Sequence, residues 1–402
     1  MSLSSTRVLA ACAALVACAM SAVGNPALAD RPVDPGAGCG TEWQIVPSPN
    51  LGTKPSILRG VGAVSSTDAW AVGVAGGVGS GLPFRPLIEH WDGSAWTVVP
   101  AAHQPRGSAE LWAVAAVSSD DVWTVGDWTG RHPLKSPQRT LVEHWDGRTW
   151  SIVKSLDIGP GSNEFTAVAA TSSTDVWAAG AAFGPAQRRY KPLAEHWNGS
   201  SWTVYEPPSS PSGDNSINGM TEVSNGDVWA VGEAGKSGER RPLAEHWDGT
   251  SWTRVPTGTP GDNFLLGASA SSSSDVWAVG WRYTDAGSAV PLSEHWDGTA
   301  WSFVPTPHPS PYFDTLAGVV ALSTTEAWAV GSNPIRPRNQ QPLIERWDGA
   351  AWSIVPGPTG PMETNGLAAI DADPDGDLWA VGTSIDIGLE DGRTLIERRC
   401  PS

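Results

Sequence analysis

The sequence is poor in basic residues. It has 25 Lys and Arg against 42 Asp and Glu among 402 residues, which gives a formal net charge of −17. Nucleic-acid backbones and anionic lipid surfaces are bound through basic side chains. The charge balance therefore excludes nucleic acid as a partner and argues against an anionic membrane surface.

Cysteine and long apolar runs are also scarce. The chain has four Cys and contains no C-x-x-C, H-E-x-x-H or G-x-S-x-G motif, so common redox, zinc and serine-hydrolase signatures are missing. Residues 8–23 form the single long apolar run, which is short for a bilayer span. We predict no membrane-spanning segment.

The first 29 residues have the pattern of a signal peptide. One basic residue, Arg7, precedes the apolar run, and Ala-Leu-Ala at residues 27–29 is typical of a cleavage site. We expect residues 1–29 to be removed, residues 30–40 to form a lead-in segment, and the protein to be secreted. An alternative stays open, because residues 15–18 resemble a lipobox that would attach a lipid at Cys18.

What the sequence has in abundance is glycine, proline and tryptophan, with 45 Gly, 34 Pro and 23 Trp. The pattern Asp-x-Trp-Ala-Val-Gly, with small variations, occurs seven times at spacings of 48–54 residues. Its tryptophans are Trp70, Trp123, Trp177, Trp229, Trp277, Trp328 and Trp379. Each copy is followed by Leu-x-Glu-His-Trp-Asp-Gly-x-x-Trp or a variant. Because most tryptophans occupy repeat positions, we expect them to pack between repeats.

Each repeat predicts four short strands. An apolar strand and a buried strand flank a turn that contains Asp, and a third strand ending in Glu-His-Trp is joined to a fourth by an Asp-Gly turn. Four strands in a repeat of this length are typical of a propeller blade. The sequence therefore predicts an all-β, seven-bladed β-propeller with four antiparallel strands per blade, formed by residues 41–400 as one domain.

The two ends of the chain complement each other. Residues 41–47 match a fourth strand without the three before it, and the last repeat ends at Cys400 without a fourth strand. We expect residues 41–47 to pair into the last blade and close the ring, which leaves no open sheet edge. In this register Cys39 and Cys400 share one turn, so we predict a disulfide that stabilises the fold by about 4–5 kcal/mol.

The segments SSTDVWAAG (residues 172–180) and PLAEHWDGTSWTRVP (residues 242–256) resemble the repeats of secreted, seven-bladed bacterial propeller proteins. The resemblance covers residues 41–400 and concerns architecture. The kelch Gly-Gly pair is missing, and so is the Ser-x-Asp-x-Gly-x-x-Trp motif of sialidase propellers. The resemblance therefore implies no catalytic residue in this chain.

Two sets of polar repeat residues have structural interpretations. The repeat histidines lie between Glu and Trp, and we expect them to bond the Asp of the turn between the first two strands. The seventh repeat differs there, with Asp371, Asp373 and Asp375 at alternate positions before Gly376. This is the start of a calcium-loop pattern and suggests a structural Ca²⁺, although the glutamate of a complete loop is missing and an acidic solvated turn is the alternative. We expect no other cofactor.

Function should lie on the face that carries the long, variable loops between blades and between the second and third strands. Carboxylates, amides and aromatic rings there suit a sugar ligand. The candidate ligand-binding residues are Asn163, Asp214, Asn215, Asp262, Asn263, Asp314, Trp128, Trp281 and Tyr283. The predicted function is a secreted, monomeric, non-catalytic module that binds a carbohydrate or cell-envelope polymer, with an extracellular protein as an alternative partner.

An enzymatic alternative also stays open. Paired carboxylates at a suitable separation hydrolyse glycosidic bonds. Glu110 and Glu164 begin neighbouring repeats near the expected central mouth. They are the candidate acids of an extracellular glycoside hydrolase or lyase.

Overall fold

The computed structural model describes residues 39–401 except 52–54, 77–82, 103–106, 131–135, 187, 211–212, 237, 260, 285–286, 337–338 and 387–390. Within these residues the secondary structure is all β, with 28 strands and no helix. Consequently no helix there is long and apolar enough to cross a membrane. The predicted signal peptide, Cys18 and the lead-in up to residue 38 lie outside the described residues.

The strands follow the sequence repeats, four to a repeat unit. The first strands are β2 (Ser56–Ser65), β6 (Ala109–Ser118), β10 (Asn163–Ser172), β14 (Asp214–Ser224), β18 (Asn263–Ser272), β22 (Thr315–Ser323) and β26 (Thr364–Ala372). The second strands are β3 (Asp68–Ala75), β7 (Asp121–Trp128), β11 (Asp175–Gly184), β15 (Asp227–Gly235), β19 (Asp275–Tyr283), β23 (Glu326–Arg336) and β27 (Leu378–Asp386).

Six of the seven third strands end with the repeat tryptophan, the seventh ends with Arg399, and the fourth strands are short. The third strands are β4 (Arg85–Trp91), β8 (Arg139–Trp145), β12 (Arg189–Trp197), β16 (Arg241–Trp247), β20 (Ala289–Trp296), β24 (Asn339–Trp347) and β28 (Asp391–Arg399). The fourth strands are β5 (Trp96–Val98), β9 (Trp150–Ile152), β13 (Trp202–Val204), β17 (Trp252–Arg254), β21 (Trp301–Phe303), β25 (Trp352–Ile354) and, from the N-terminus, β1 (Gln44–Ile45).

The first five repeat units each form a four-stranded antiparallel sheet. The remaining eight strands form one sheet, in which a single parallel pair, Gln340 with Thr364, joins β24 to β26. The N-terminal strand β1 pairs with β28 through Gln44 and Arg398 and through Ile45 and Glu397. The N-terminal strand therefore takes the place of the fourth strand that the last repeat lacks.

Repeat tryptophans join neighbouring units. Trp70 on β3 is 1% exposed, and its ring centroid lies 5.0 Å from that of Trp145 and 5.4 Å from that of Trp150, both in the next unit. The same contacts link the last unit to the first, because Trp379 lies 5.2 Å from both Trp91 and Trp96. The prediction that these rings serve packing is confirmed.

The ends of the chain are also joined covalently. Cys39 and Cys400 form a disulfide with their Cα atoms 5.6 Å apart. The Cys400 amide donates a backbone hydrogen bond to the Gly40 carbonyl over 3.0 Å, and Ser48 bonds Thr394 over 2.7 Å. These contacts hold residues 39–48 against the last strand of the chain.

Repeat glutamates are buried between units. Glu143, Glu195 and Glu294 are fully buried, and each accepts a hydrogen bond from a backbone amide of the preceding unit's loop, namely from Ala102, Leu156 and Gly258 respectively. In four other units that loop position is proline, at Pro49, Pro208, Pro307 and Pro358, which has no amide hydrogen to donate.

The glutamates that face proline lack this bond. Glu89, Glu345 and Glu397 are fully buried, and neither carboxyl oxygen of any of them has a hydrogen-bond partner among the described residues. Glu245 is bonded by Arg254 over 3.3 Å instead. Burial raises the pKa of Glu89, Glu345 and Glu397 to about 8.

The repeat histidines bond the turn aspartates, as the sequence predicts. The His196 Nε2 atom lies 2.6 Å from Asp175, and the imidazole stacks on Trp177 at a centroid distance of 4.6 Å. Four further pairs, centred on His90, His144, His246 and His295, repeat this arrangement. These five histidines are therefore structural, and they lie at the edge of the sheets with the short turns.

Candidate functional site

We define the loop face as the edge of the sheets where first strands begin and second strands end. Asn163, Asp214 and Asn263 are the first residues of β10, β14 and β18, while Trp128 and Tyr283 are the last residues of β7 and β19. The predicted ligand-binding residues therefore share one edge, but their individual environments differ.

The buried amides on this face hold loops. Asn163 has no exposed surface, accepts a hydrogen bond from the Ile158 amide over 2.9 Å and donates one to the Gly161 carbonyl over 2.9 Å. Asn215 is equally buried and bonds the Ser210 amide over 2.9 Å. An Asn side chain before a strand satisfies the loop backbone in this way. These amides are therefore used within the fold and are not presented to a ligand.

Other predicted polar residues link neighbouring loops. Asp214 accepts a hydrogen bond from the Tyr190 amide over 2.8 Å, and Asp262 accepts one from the Arg240 amide over 2.9 Å. In both cases the donor belongs to the preceding unit. Asn263 is 1% exposed and so is buried as well.

Every first strand contains a β-bulge near the loop face. In β2 the pairing with β3 shifts between Leu58 and Gly60, so that Arg59 is the extra residue. The facing glycine permits the bulge, because a Cβ atom on Gly73 would lie 1.9 Å from the Ile57 carbonyl oxygen. This close approach explains why the second-strand motif ends in glycine.

The extra residues vary among the units, and all seven are half-buried. They are Arg59, Trp112, Thr166, Asn218, Leu266, Ala317 and Ala368. Four consecutive units thus carry a residue with a hydrogen-bonding side chain, and the next three carry apolar ones. We call this set the bulge ring.

The first two members of the bulge ring belong to a polar network. The Arg59 guanidinium lies 2.7 Å from a Glu110 carboxyl oxygen and 3.5 Å from the centroid of the Trp112 ring. The Trp112 indole donates a hydrogen bond to Asp127 over 3.0 Å, and the Gln138 amide donates one to the other oxygen of Asp127 over 3.0 Å. The network joins the first and second units.

Two carboxyl groups of the network face each other. Glu110 and Asp127 are direct partners in the β6–β7 pair, so their side chains share one face of the sheet. Burial raises the pKa of Asp127 to about 7, and the charge of Glu110 adds to this effect. A carboxyl that titrates near neutrality beside a second, ion-paired carboxyl is an acid–base arrangement.

The polar network continues through later units. Thr166 donates a hydrogen bond to the Ile217 carbonyl over 2.6 Å, and Asn218 bonds both the Glu233 carboxyl over 2.6 Å and the Leu265 carbonyl over 2.9 Å. Members of the bulge ring thus contact the next unit. The second acid of the enzymatic alternative, Glu164, follows Asn163 on β10 and pairs with Ala181, whereas the strand partner of Glu110 is Asp127.

An aromatic cluster occupies the loop face of the fifth and sixth units. Trp281 is 5% exposed, stacks on Phe264 at a centroid distance of 4.0 Å and lies 5.1 Å from both Tyr283 and Phe313. Tyr283 is 43% exposed. Neighbouring rings therefore cover Trp281, whereas Tyr283 is accessible, and a ligand-binding role for these two residues stays a prediction.

The polar network and the aromatic cluster are adjacent. Asn218 bonds the carbonyl of Leu265, and the next residue, Leu266, packs against the aromatic cluster. Beside Phe313, Tyr312 is 43% exposed. Trp128, at the end of β7, is half-buried and packs on the core of the second unit.

Sequence reasoning did not single out most of the polar network, although it named Glu110 as a candidate acid. Asp127 and Glu233 follow the second-strand glycine, where other units have Val74, Ala181, Trp281, Ser332 and Thr383. The sequence did contain a signal for these two residues, because each is an acid at a position where the other units have mostly apolar or small residues. The bulge ring had no such signal, because the extra residue is defined by strand pairing.

The predicted calcium residues do not converge in the described part of the chain. Asp371 accepts a hydrogen bond from the Ala63 amide over 2.9 Å, and Asp373 accepts one from the Asp375 amide over 2.9 Å. Burial raises the pKa of Asp371 to about 6. The calcium site stays a prediction.

One group of possible metal ligands is close together among the described residues, and it consists of Cys39, Asp377 and Cys400. The two sulfurs are bonded to each other, and Asp377 is bonded by Arg398. This group therefore stabilises the junction of the chain ends.

No protein-family model and no curated protein matches this chain. Solved structures that resemble it are β-propeller proteins. YCF48 bound to D1 peptide has a TM-score of 0.54 at 14% identity, covering 94% of this chain and 99% of that chain. A polysaccharide lyase of family PL25, an ulvan lyase bound to a saccharide, has a TM-score of 0.53 at 7% identity, covering 88% and 94%.

A third similar structure is the extracellular domain of the one-component system BT4673 from B. thetaiotaomicron. It has a TM-score of 0.51 at 9% identity, covering 88% of this chain and 40% of that one. At these identities the likeness shows the fold alone. The chain has an all-β fold of repeated four-stranded sheets, of the β-propeller class.

Proposed function

We propose that the seven repeat units form a closed seven-bladed ring, and that the loop face of this ring binds carbohydrate without catalysis. Closure is supported by the contacts of Trp379 with Trp91 and Trp96 and by the pairing of β1 with β28. In such a ring the first strands surround the axis. The bulge ring then lines the central opening, and residues 41–400 form one domain.

One observation carries the binding proposal: an exposed aromatic edge adjoins a polar network on the same face. Tyr283 and Tyr312 offer accessible rings, and Asn218 connects their cluster to the polar side of the bulge ring. A sugar presents an apolar ring face and a polar hydroxyl edge, so adjacent aromatic and hydrogen-bonding groups match it. The ligand class is an extracellular glycan or cell-envelope polymer.

The cellular setting follows from the same proposal. A disulfide that joins the chain ends persists in oxidising compartments, and Cys39 and Cys400 form one. We propose secretion through the segment 1–29, with lipid attachment at Cys18 as the alternative, and a monomeric protein with one structural Ca²⁺ at the seventh turn.

The test is binding of the purified secreted protein to an array of neutral, amino and uronic-acid oligosaccharides. The double variant Tyr283→Ala/Tyr312→Ala should lose at least tenfold in affinity for the oligosaccharides bound by the unaltered protein. Leu322→Ala is the control, because Leu322 is a 37% exposed side chain next to the last residue of the first strand β22, at the edge opposite the loop face. Absence of binding to every oligosaccharide, or equal loss in the control, would contradict the proposal.

An enzymatic function is the second candidate, and a specific observation favours it. Asp127 titrates near pH 7 beside ion-paired Glu110, which suits a general acid next to an ionised carboxylate. If the protein is an enzyme, polysaccharide turnover should fall at least 100-fold in Asp127→Asn. Glycan binding without turnover supports the binding function, while turnover that depends on Asp127 supports the enzyme.

A further inference from the structure

The repeats supply internal references for each position of the chain. In every first strand a buried apolar residue, such as Phe165, comes directly before the bulge. Four units have an asparagine two residues before that apolar residue, namely Asn163, Asn215, Asn263 and Asn365. The sixth unit has Asp314 at this position. The exchange replaces a carboxamide, which both donates and accepts, by a carboxyl group.

The asparagines use both halves of the amide. Asn163 accepts from the Ile158 amide and donates to the Gly161 carbonyl, and Asn215 donates to the Gly213 carbonyl over 3.3 Å. Asn365 donates to the Met362 carbonyl over 2.6 Å. In each case one side chain ties an amide and a carbonyl of its own loop together.

Asp314 reproduces only half of this arrangement. Its Oδ2 atom accepts a hydrogen bond from the Ser310 amide over 3.1 Å, but its Oδ1 atom is buried and has no hydrogen-bond partner among the described residues. The residue has no exposed surface. An ionised carboxylate cannot donate to a carbonyl, and a buried acceptor without a partner is costly.

The charged surroundings do not compensate Asp314. Burial raises the pKa of Asp314 to about 6, although the nearby His308 lowers it in part. On the third strand of the same unit, Glu345 also interacts with Asp314, and this adds to the effect of burial that raises the pKa of Glu345. Within the described residues no ion pair joins Asp314 to a cation. Protonation of Asp314 would restore a donor.

We propose that Asp314 is a positioning residue whose carboxyl holds a proton and donates an O–H hydrogen bond within its own loop, where the other units use an asparagine amide. By its place in the repeat, the acceptor is the carbonyl of Tyr312. The proton comes from solvent, and its loss leaves Oδ1 unpaired and weakens the loop. The neutral acid thus mimics asparagine, but only below the pH at which the carboxyl ionises.

The loop in question supplies part of the aromatic cluster. Tyr312 is held by a hydrogen bond from its amide to the Ser310 hydroxyl over 3.0 Å, and that hydroxyl bonds the Pro334 carbonyl. Phe313 contacts Trp281. This consequence rests on the proposed glycan-binding function: ligand binding at the aromatic cluster should become weaker as pH rises.

The experiment measures loop opening directly and needs no ligand. Hydrogen exchange of residues 305–314 is followed by mass spectrometry from pH 4 to pH 7, with residues 153–163, the loop of Asn163, as the reference in the same sample. The Asp314 carboxyl holds its proton more tightly when the loop is closed than when the loop is open. We therefore expect the opening equilibrium of residues 305–314, relative to the reference, to rise about 100-fold with pH and to level off above pH 6.

Two variants test the assignment in opposite directions. Asp314→Asn should remove the pH dependence and keep the loop closed at pH 7. Asn163→Asp should transfer the pH dependence to residues 153–163. A pH-dependent opening that persists in Asp314→Asn, or a pH-independent loop in the unaltered protein, would overturn the proposal. Since neither measurement involves a glycan, failure of glycan binding and failure of this inference are separately visible.

Discussion

The tryptophan layer between the repeat units and the loop face are built from the same repeats, but they use them in opposite ways. In the tryptophan layer six of the seven second-strand rings meet two rings of the next unit, for example at 4.9 and 5.0 Å for Trp277 and at 5.2 and 5.2 Å for Trp379. The seventh, Trp328, meets the Trp43 ring and the Arg399 guanidinium. On the loop face the residues of the bulge ring differ in chemistry, from the charged Arg59 to the small apolar Ala368.

The difference shows where sequence variation is physically tolerated. A residue in the tryptophan layer must fit two units at once, so few side chains are tolerated there, and the one exchange, Arg399 for tryptophan, still covers the Trp328 ring. The extra residue of a bulge is unpaired and half-buried, so its side chain is free to vary without disturbing the sheet. Variation at the loop face therefore costs little stability and provides binding chemistry.

The disulfide gives the largest expected effect within this comparison, because it joins the one unit whose strands come from both ends of the chain. Replacing Cys39 and Cys400 by Ser should lower the free energy of unfolding by about 5 kcal/mol, since the closed loop spans most of the chain. Chemical denaturation should show this while the far-ultraviolet sheet signal persists. An unchanged unfolding midpoint would contradict the role of the bond in closure.

A single ring in the tryptophan layer should have the next largest effect. Trp277→Ala is expected to cost about 3–5 kcal/mol, because Trp277 has no exposed surface and contacts Trp347 and Trp352 of the next unit. Tyr283→Ala, on the loop face, should cost less than about 1 kcal/mol. If urea denaturation gave similar losses for both, the distinction between the two regions would fail.

The buried glutamates that face proline should make stability depend on pH. Burial raises the pKa of Glu89 to about 8, above its ordinary value, so the folded protein binds this proton more tightly. The resulting stability is fully present below about pH 4.5 and is lost as pH rises to 8. In Glu89→Gln the free energy of unfolding should fall by about 3 kcal/mol less between pH 5 and pH 8 than in the unaltered protein, as measured by thermal unfolding at both pH values.

A matched substitution sharpens this test. Glu245→Gln is the matched substitution, because burial raises the pKa of Glu245 to about 7 while the Arg254 guanidinium lowers it in part. It should therefore raise stability at pH 8 less than Glu89→Gln does. Equal gains in the two variants would show that a bonding partner for the buried carboxyl is irrelevant.

Calcium should have the smallest effect. If Asp371, Asp373 and Asp375 bind one Ca²⁺, calorimetry should show melting a few degrees lower in EDTA than in calcium, by about 2–4 °C. The variant Asp375→Asn should show little response to EDTA. Identical melting in EDTA and in calcium would remove the metal from the seventh turn.

Much of the fold is predictable from sequence because the repeats constrain one another. Seven copies of one strand pattern predict a shared unit, and the incomplete first and last copies predict the pairing of β1 with β28. The bond of His196 to Asp175 was predictable for the same reason, because both residues recur together. The candidate site was predictable only as a face.

Within that face, the structure shows contacts of individual residues that sequence reasoning did not predict. Asn163 and Asn215 have the chemistry of sugar ligands but are used by their own loops, and Trp281 is covered by Phe264. Residue type alone does not show whether a polar atom already has a partner. That depends on the path of the loop backbone.

Periodic patterns in the sequence predict the repeated strands, the packing role of the tryptophans and histidines, and the pairing of the chain ends, because they encode local structure and burial directly. The tertiary structure decided which side chains meet across units. Arg59 reaches Glu110 and Trp112, and Asp314 lacks a donor for Oδ1, through strand register and loop paths. Those contacts join residues that are distant in the chain or placed by irregular backbone, and no local pattern specifies them.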